Sequence, residues 1–483
     1  MTISAALNSA LSGLTAASRA TGVATDNIAN ALTPGYARRS LEVTGNTVGG
    51  AGVRIVGVTR QADPVLIANR RGADAAQGYS DTLSAFHNRL SQLVGGVDDP
   101  RSVPNLIAEF ESSLIAAASN PGAQTRLDAA ATAASDLAQA LNAASDGLRN
   151  ARNDADRSIG QQVDRLNTVL QNIETLNGRI QSVKLSGGDT ASLLDQRQTL
   201  IDEANTIVPI NVVARDHGSV ALFTDGGAIL LDGPAAQLSF TATTQTMPHM
   251  TVDNGLLSGL ELNGTPLRIS GSGSAIRGGT LAAAFEIRDS LAVEAQKDLD
   301  MVARDLVERF EAPTLDPTIA PTDPGLFTDN GARFSATSQI GLAGRLELNA
   351  TVDPKQGGQS WRLRDGLGAL VPGAPGNATQ INAFHEALTI GRTLPDTRFG
   401  TGAMSASGVG AALLSRVEQS QSLAAERLAF ASASQTEMQR LELEQGVDTD
   451  AELQMLMQLE QAFAANARVI ETVGDMMDTL LRL

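Results

Sequence analysis

The chain has 483 residues, 42% of them hydrophobic but only 3% aromatic, with one Trp, two Tyr, no Cys and a net charge of −17. That length accommodates two or three domains with sizeable cores built from Ala, Leu, Val and Ile rather than around an aromatic-lined pocket. The acidic balance excludes a nucleic-acid or anionic-membrane surface, where Lys and Arg dominate, and the lack of Cys excludes disulfides, thiol catalysis and Cys-ligated metals. It leaves the compartment open, since such a chain suits the cytosol and equally passage, unfolded, through an export channel. No run of 18 apolar residues could span a bilayer. The N-terminus lacks the basic start, apolar run and small-residue cleavage site of a cleaved signal peptide.

The first thirty-odd residues predict one amphipathic helix, stopped at Thr33-Pro34-Gly35-Tyr36. Leu7, Leu14, Thr21 and Ile28 repeat every seven positions; Ile3, Ala10, Ala17, Ala24 and Ala31 form a second register. Such a seam asks for a partner helix. Asn27 and Asn30 stand where amides can cap carbonyls or adopt a left-handed conformation, and Pro34-Gly35 redirects the chain. β-Prone runs follow at Leu41–Val43 and Val53–Val58. Residues 61–95 turn helical, and a helical pattern holds from Asn105 to about Ile180, broken at Asn120-Pro121-Gly122. Ser186-Gly187-Gly188 ends it, and Asp189 or Thr190 caps the next helix, Ala191 to Ile207.

Residues 206–274 change period to short β runs separated by Asp216-His217-Gly218 and Asp225-Gly226-Gly227, which predicts an antiparallel β insert. Helical period returns near Thr280 with Phe285, Ala292, Leu299 and Leu306 on one stripe. A loop with four prolines (311–324) opens a Pro- and Gly-rich excursion over 311–400, which holds Trp361. From about Ala411 the chain is helical to its end, interrupted at Glu444 to Thr449. The last helix has two registers of its own: Leu456, Phe463, Ile470 and Met477, and Leu459, Asn466, Val473 and Leu480. Residues 1–60 carry five Arg against Asp26 and Glu42, a net of +3; residues 441–483 carry nine acids against two Arg, a net of −7. Opposite charge beside apolar seams matches coiled-coil partners, and Asn466 within the seam suits a register-setting role. The two ends are therefore expected to pair.

No constellation points to catalysis. His87, His217, His249 and His385 are scattered without metal spacing, and Gly271–Gly273 and Gly408–Gly410 read as turns rather than nucleotide loops. No GxSxG nucleophile elbow occurs. Neither cofactor nor metal is expected.

ALSGL (10–14) with DNIANALTPGYARR (26–39), and EQAFAANARVIET with DTLL near the C-terminus, resemble the terminal signatures of bacterial flagellar axial proteins, the rod, hook and hook-associated family. GVRIVGVTRQADPVL (52–66), DQRQTLIDEANTIVPINV (195–212) and GGTLAAAFEIRDSL (278–291) resemble the hook-associated branch at the junction of hook and filament. Departures are Phe463 where Tyr is common, Ala37-Arg38-Arg39 after the TPGY turn, and Gly474 inside the last helix.

The resemblance implies an α+β, discontinuous multi-domain axial protein. Residues 1–60 with 440–483 would form a coiled-coil stem, 61–205 with 275–439 a helical middle domain, and 206–274 an outer β insert. It implies a structural subunit that self-assembles into a ring or short helical layer, adapts the hook mechanically to the filament and is not an enzyme. Implied partners are the hook protein, the second hook-filament junction protein, a cytosolic export chaperone at the C-terminal helix and the flagellar type III export apparatus. Neither nucleic acid nor membrane insertion is expected; the location would be extracellular, in the flagellum. Assembly contacts would fall on Leu7, Leu14, Asn27, Ile28, Asn30, Thr33, Pro34, Gly35, Tyr36, Leu456, Phe463, Asn466, Ile470, Met477 and Leu480. Other readings are a hook or distal-rod subunit, which should lack the DQR and GGTL stretches, or an adhesin or glycan-acting enzyme on a helical stalk.

Overall fold

In the computed structural model, residues 3–45, 52–271, 273–312 and 314–482 are described; the glycine-rich link 46–51 and Ser272 of the Gly271–Gly273 turn lie outside the described residues. Helix α1 (Ile3–Ala29) buries Ala10, Ala17 and Ala24 on one face. Strands β1 (Arg39–Gly45) and β2 (Val53–Arg60) pair antiparallel, with a bulge between Glu42 and Val43. In α2 (Pro64–Val94) the Asp63 carboxylate accepts the amides of Val65 and Leu66, and Pro64 occupies the first turn, where no amide is needed. Helix α3 (Val103–Ser119) ends at the Asn120-Pro121-Gly122 break. Helix α4 (Gln124–Leu185) then runs 62 residues, about 93 Å at 1.5 Å per residue. Of the two expected caps of α5 (Ala191–Ile207), Asp189 supplies the bond, accepting the Ala191 amide at 2.8 Å.

The β region forms two small antiparallel sheets. One contains β3 (Ile210–Ala214), β4 (Val220–Thr224) and β5 (Ile229–Leu231); the other contains β6 (Leu238–Ser239), β7 (Leu260–Leu262) and β8 (Thr265–Leu267). Helix α6 (Gly279–Glu286) passes through a π-helical turn, Ile287–Leu291, into α7 (Ala292–Phe310). The stripe Phe285, Ala292, Leu299 and Leu306 is buried along both. Strands β9 (Phe327–Asp329) and β10 (Leu346–Leu348) pair antiparallel, followed by α8 (Arg362–Asp365) and α9 (Thr379–Thr389). Helices α10 (Ala406–Glu444) and α11 (Thr449–Leu481) close the chain, with Asp448 capping α11. The protein is thus mixed and helix-rich, with small antiparallel sheets.

Helix α4 passes through two cores. Its first half packs with α2, α3, α7, α9 and α10. Phe327, Leu346, Leu363 and Phe384 of the 311–400 segment join that core, and Phe110, Phe310, Phe327 and Phe384 meet ring to ring at 5.5–6.2 Å. Its second half packs with α5, α6 and strands β3–β7, so the β region shares a core with helices. Between the cores, Asp156 holds the fully buried Arg288 of the π turn at 2.7 Å, with the Phe285 ring 5.0 Å from the guanidinium. Pairing and hydrogen bonding this complete offsets the cost of burying the charge.

Candidate functional site

Helices α1 and α11 pack against each other. They run antiparallel: Gly13 lies against Asn466, and Arg38, just beyond α1, bonds Glu452 in the first turn of α11 at 2.7 Å. A Cβ on Gly13 would stand 2.9 Å from Asn466 Nδ2, so glycine is what admits the amide. Leu7, Leu14 and Ile28 are half-buried beside the three buried alanines. On α11 the half-buried Leu456, Leu459, Asn466 and Ile470 and the buried Val473 share one side. Phe463, Met477 and Leu480 stand in the same registers but stay more open, at 43%, 47% and 58% exposure. One shallow alanine face covers a single stripe, and α11 carries a wider one.

At the end of α1 the side chains fix an elbow. The Asn30 Nδ2 donates to the Asp26 carbonyl at 2.9 Å, capping the last turn, and the Thr33 hydroxyl donates to Asn30 Oδ1 at 3.3 Å. The Tyr36 amide donates to the Thr33 carbonyl at 3.1 Å across Pro34-Gly35, and Gly35 has φ +80. Proline followed by a positive-φ glycine is the pattern of a type II turn. Any Cβ on Gly35 would lie 2.5 Å from Thr199 Oγ1 of α5, so the turn also needs glycine for close approach. Asn27 is 1% exposed. Its Nδ2 donates to the Arg39 carbonyl at 2.8 Å, while its Oδ1 accepts the Arg39 amide at 2.9 Å and the Tyr36 hydroxyl at 2.8 Å. The side chain thus binds β1 as a neighbouring strand would. Neither asparagine adopts a left-handed conformation, since among the described residues only His217, Asn263 and Asn330 do so without being glycine.

A polar joint ties this elbow to the body. Asp195 of α5 accepts from Arg39 Nη2 and Arg60 Nε, both at 2.7 Å, and Arg60 also donates to Gln198. The Arg39 guanidinium sits 4.8 Å from the Tyr36 ring centroid. Burial works against the Arg39 charge, but Asp195 and Tyr36 outweigh it and its pKa is raised. Two turns on, Asp202 accepts from Arg70 and Arg71 at 2.6 and 2.5 Å, and Arg70 also reaches Asp74 and Glu442 of α10. Arg197 Nη1 donates to Asn177 Oδ1 of α4 and the Gly218 carbonyl. The stretch DQRQTLID therefore binds the elbow, α2, α4 and the β3–β4 turn. The terminal seams and the elbow residues were visible as sequence patterns; Asp195 and Asp202 were not singled out as anchors. The available signal was unexplained arginines at both edges of the hairpin facing an acid in a recognised motif.

Among the described residues no three His, Cys, Asp or Glu come together as metal ligands, and no helix is long and apolar enough to cross a membrane.

Against known proteins, residues 87–313 match the family described as flagellar hook-associated protein FlgK helical domain. Residues 7–36 match flagella basal body rod protein, and 444–483 match flagellar basal body rod FlgEFG protein C-terminal. Flagellar hook-associated protein 1 of Escherichia coli K12 is 27% identical over 259 residues, covering 52% of this chain and 47% of that protein. The Salmonella typhimurium LT2 protein of that name is 29% identical over the same length, covering 52% and 46%. The chain thus spans about half the length of these curated relatives. That of Bacillus subtilis 168 is 23% identical over 520 aligned positions, covering 98% of this chain and 97% of that one. The solved structure of the flagellar hook junction protein FlgK from Burkholderia pseudomallei is 19% identical with a TM-score of 0.45, covering 55% of this chain and 46% of that one. Matched in its helical body by the hook-associated protein model and at both ends by rod-protein models, the chain is similar to the flagellar hook-associated protein 1 family, a family of structural flagellar proteins.

Proposed function

We propose that this chain is a structural subunit at the junction of flagellar hook and filament, an adaptor on which the filament begins. The observation that carries this reading is the exposed side of the terminal pair. Phe463, Met477 and Leu480 stay exposed although they stand in the seam registers, and Leu453, Met457 and Met476 are exposed on other sides of α11. Apolar side chains left open round so much of one helix mark a surface to be covered by another chain. Equivalent helices of neighbouring copies would cover it and build a coiled-coil stem from residues 1–60 and 440–483. Residues 61–205 with 275–439 would form the layer outside the stem, and 206–274 the outermost part.

In this reading Leu7, Leu14, Ile28, Leu456, Asn466 and Ile470 hold the pair together. Asn27, Asn30, Thr33, Pro34, Gly35 and Tyr36 set the angle at which the body leaves it. Phe463, Met477 and Leu480 meet the neighbour. Copies would close into a ring or short helical layer between the hook protein and the second junction protein. Before assembly the C-terminal helix would be held by a cytosolic chaperone, and the chain would leave the cell through the flagellar type III apparatus. Burial supplied by neighbours would then complete the folding of the ends.

Gold-labelled antibody raised against residues 206–274 should mark a single narrow band at the distal end of the hook in electron micrographs. Label spread along the hook, along the rod or along the filament would assign the chain elsewhere in the axis.

A further inference from the structure

A groove of about 410 Å³ lies beside the joint, walled by Pro64, Ile67, Leu194, Ile201, Ile210 and Val212. Arg60, Arg71 and Arg197 line it as well, the last two 7% and 8% exposed. Arg60 is paired with Asp195, which it shares with Arg39, and Arg71 with Asp202, which it shares with Arg70. Among the described residues Arg197 has no carboxylate partner: both of its hydrogen bonds leave from Nη1 and end on neutral oxygens, Asn177 Oδ1 and the Gly218 carbonyl. Burial, with Arg60 and Arg71 adding repulsion, pulls its pKa down to about 10. The acid that lines the groove, Asp225, accepts from Asn211.

A buried guanidinium without a counter-charge is costly, and the Nε–Nη2 edge that it leaves free is the edge that grips a carboxylate with two parallel bonds. We propose that this groove receives a Glu or Asp side chain from a second copy of the chain, its carboxylate on Arg197 and its stem against the apolar walls. The charge balance favours that occupant, because a chain with 53 acids against 36 bases has carboxylates in excess of its own cations. The inference rests on the reading that copies pack side by side. It adds a polar contact in the body to the apolar one at the stem. Charge would then select the lateral register of the copies, since a misplaced neighbour leaves Arg197 unpaired.

Ala68 of α2 lines the groove and is exposed, so it can be changed without touching the arginines. The full chain carrying photoreactive benzoylphenylalanine in place of Ala68 is irradiated in isolated hook–filament preparations and, in parallel, as concentrated purified protein. A crosslink in either sample to a second-copy peptide with Asp or Glu within one helical turn is the expected result. Crosslinks only within the chain, only to another protein, or to a second-copy peptide without an acid would overturn the proposal, as would none in either sample. Absence of the chain from the hook–filament preparation would instead defeat the functional reading, leaving the groove to be judged on the purified protein. Ala68→Glu, which supplies the carboxylate internally, should lower incorporation about tenfold, while Ala68→Gln, of equal size, leaves it unchanged. Equal loss in both would mean that bulk, not charge, matters, and would contradict the proposal.

Discussion

Asn27 carries more of the elbow than any other side chain there, because one amide satisfies both main-chain groups of Arg39 and the Tyr36 hydroxyl. Asn27→Ala leaves those three groups without partners in a buried place. At about 1 kcal/mol each, the local loss is about 3 kcal/mol. Hydrogen exchange at the Arg39 amide should speed up by roughly two orders of magnitude; unchanged exchange would show that the elbow is held by the turn alone. A second residue effect is pH-dependent. Asp300 is buried, and burial raises its pKa to about 6 although Gly341, Ala343 and Gln296 donate to it. Its folded value therefore exceeds the unfolded one, about 3.9. The stability it contributes is present below that unfolded value and is lost as pH rises through 6. Between pH 5 and 7 the wild type should lose about 1 kcal/mol relative to Asp300→Asn; parallel melting curves would contradict the shift.

Among elements, the joint and the last helix make opposite demands. Asp195→Ala strips the counter-charge from Arg39 and Arg60, both less than a fifth exposed, and should cost about 3 kcal/mol of docking between elbow and body. Limited proteolysis should then cut between Gly35 and Pro64 before the body is touched; an unaltered digest would show the joint to be redundant. Gly474 is the reverse case. A Cβ there meets nothing within 4 Å, so Gly474→Ala should add about 1 kcal/mol of helix stability and slow digestion beyond Thr449 in the free chain. Faster digestion would mean that the glycine serves a contact within the chain.

How far these elements were legible follows from the range of the forces. The breaks at Asn120-Pro121-Gly122 and before Asp448, and the cap at Asp189, are local chemistry and appear in the structure where the residues stand. The exposure of Phe463 was hidden because its heptad register places it on the seam with Leu456 and Ile470, while the alanine face of α1 is too shallow to cover it. The π turn left no trace, as the stripe through Ala292 continues across it. The bond from Arg39 to Asp195 spans 156 residues, and no periodicity reports a pairing of that range. The division of the β region into two sheets is set by the packing of α4, which is equally non-local.

For the whole molecule, the long helix α4 ties two cores into one strut, while the terminal pair is fastened to it through α5 and the polar joint rather than through either core. Neither core includes residues of α1 or α11. A body with two cores on one helix, and ends that leave apolar side chains open, is consistent with the proposed adaptor role. Deleting the gene for this chain tests the account most directly. The expected cells have complete hooks without attached filaments and release unassembled flagellin into the medium. Filaments of normal number and length in that strain would contradict it.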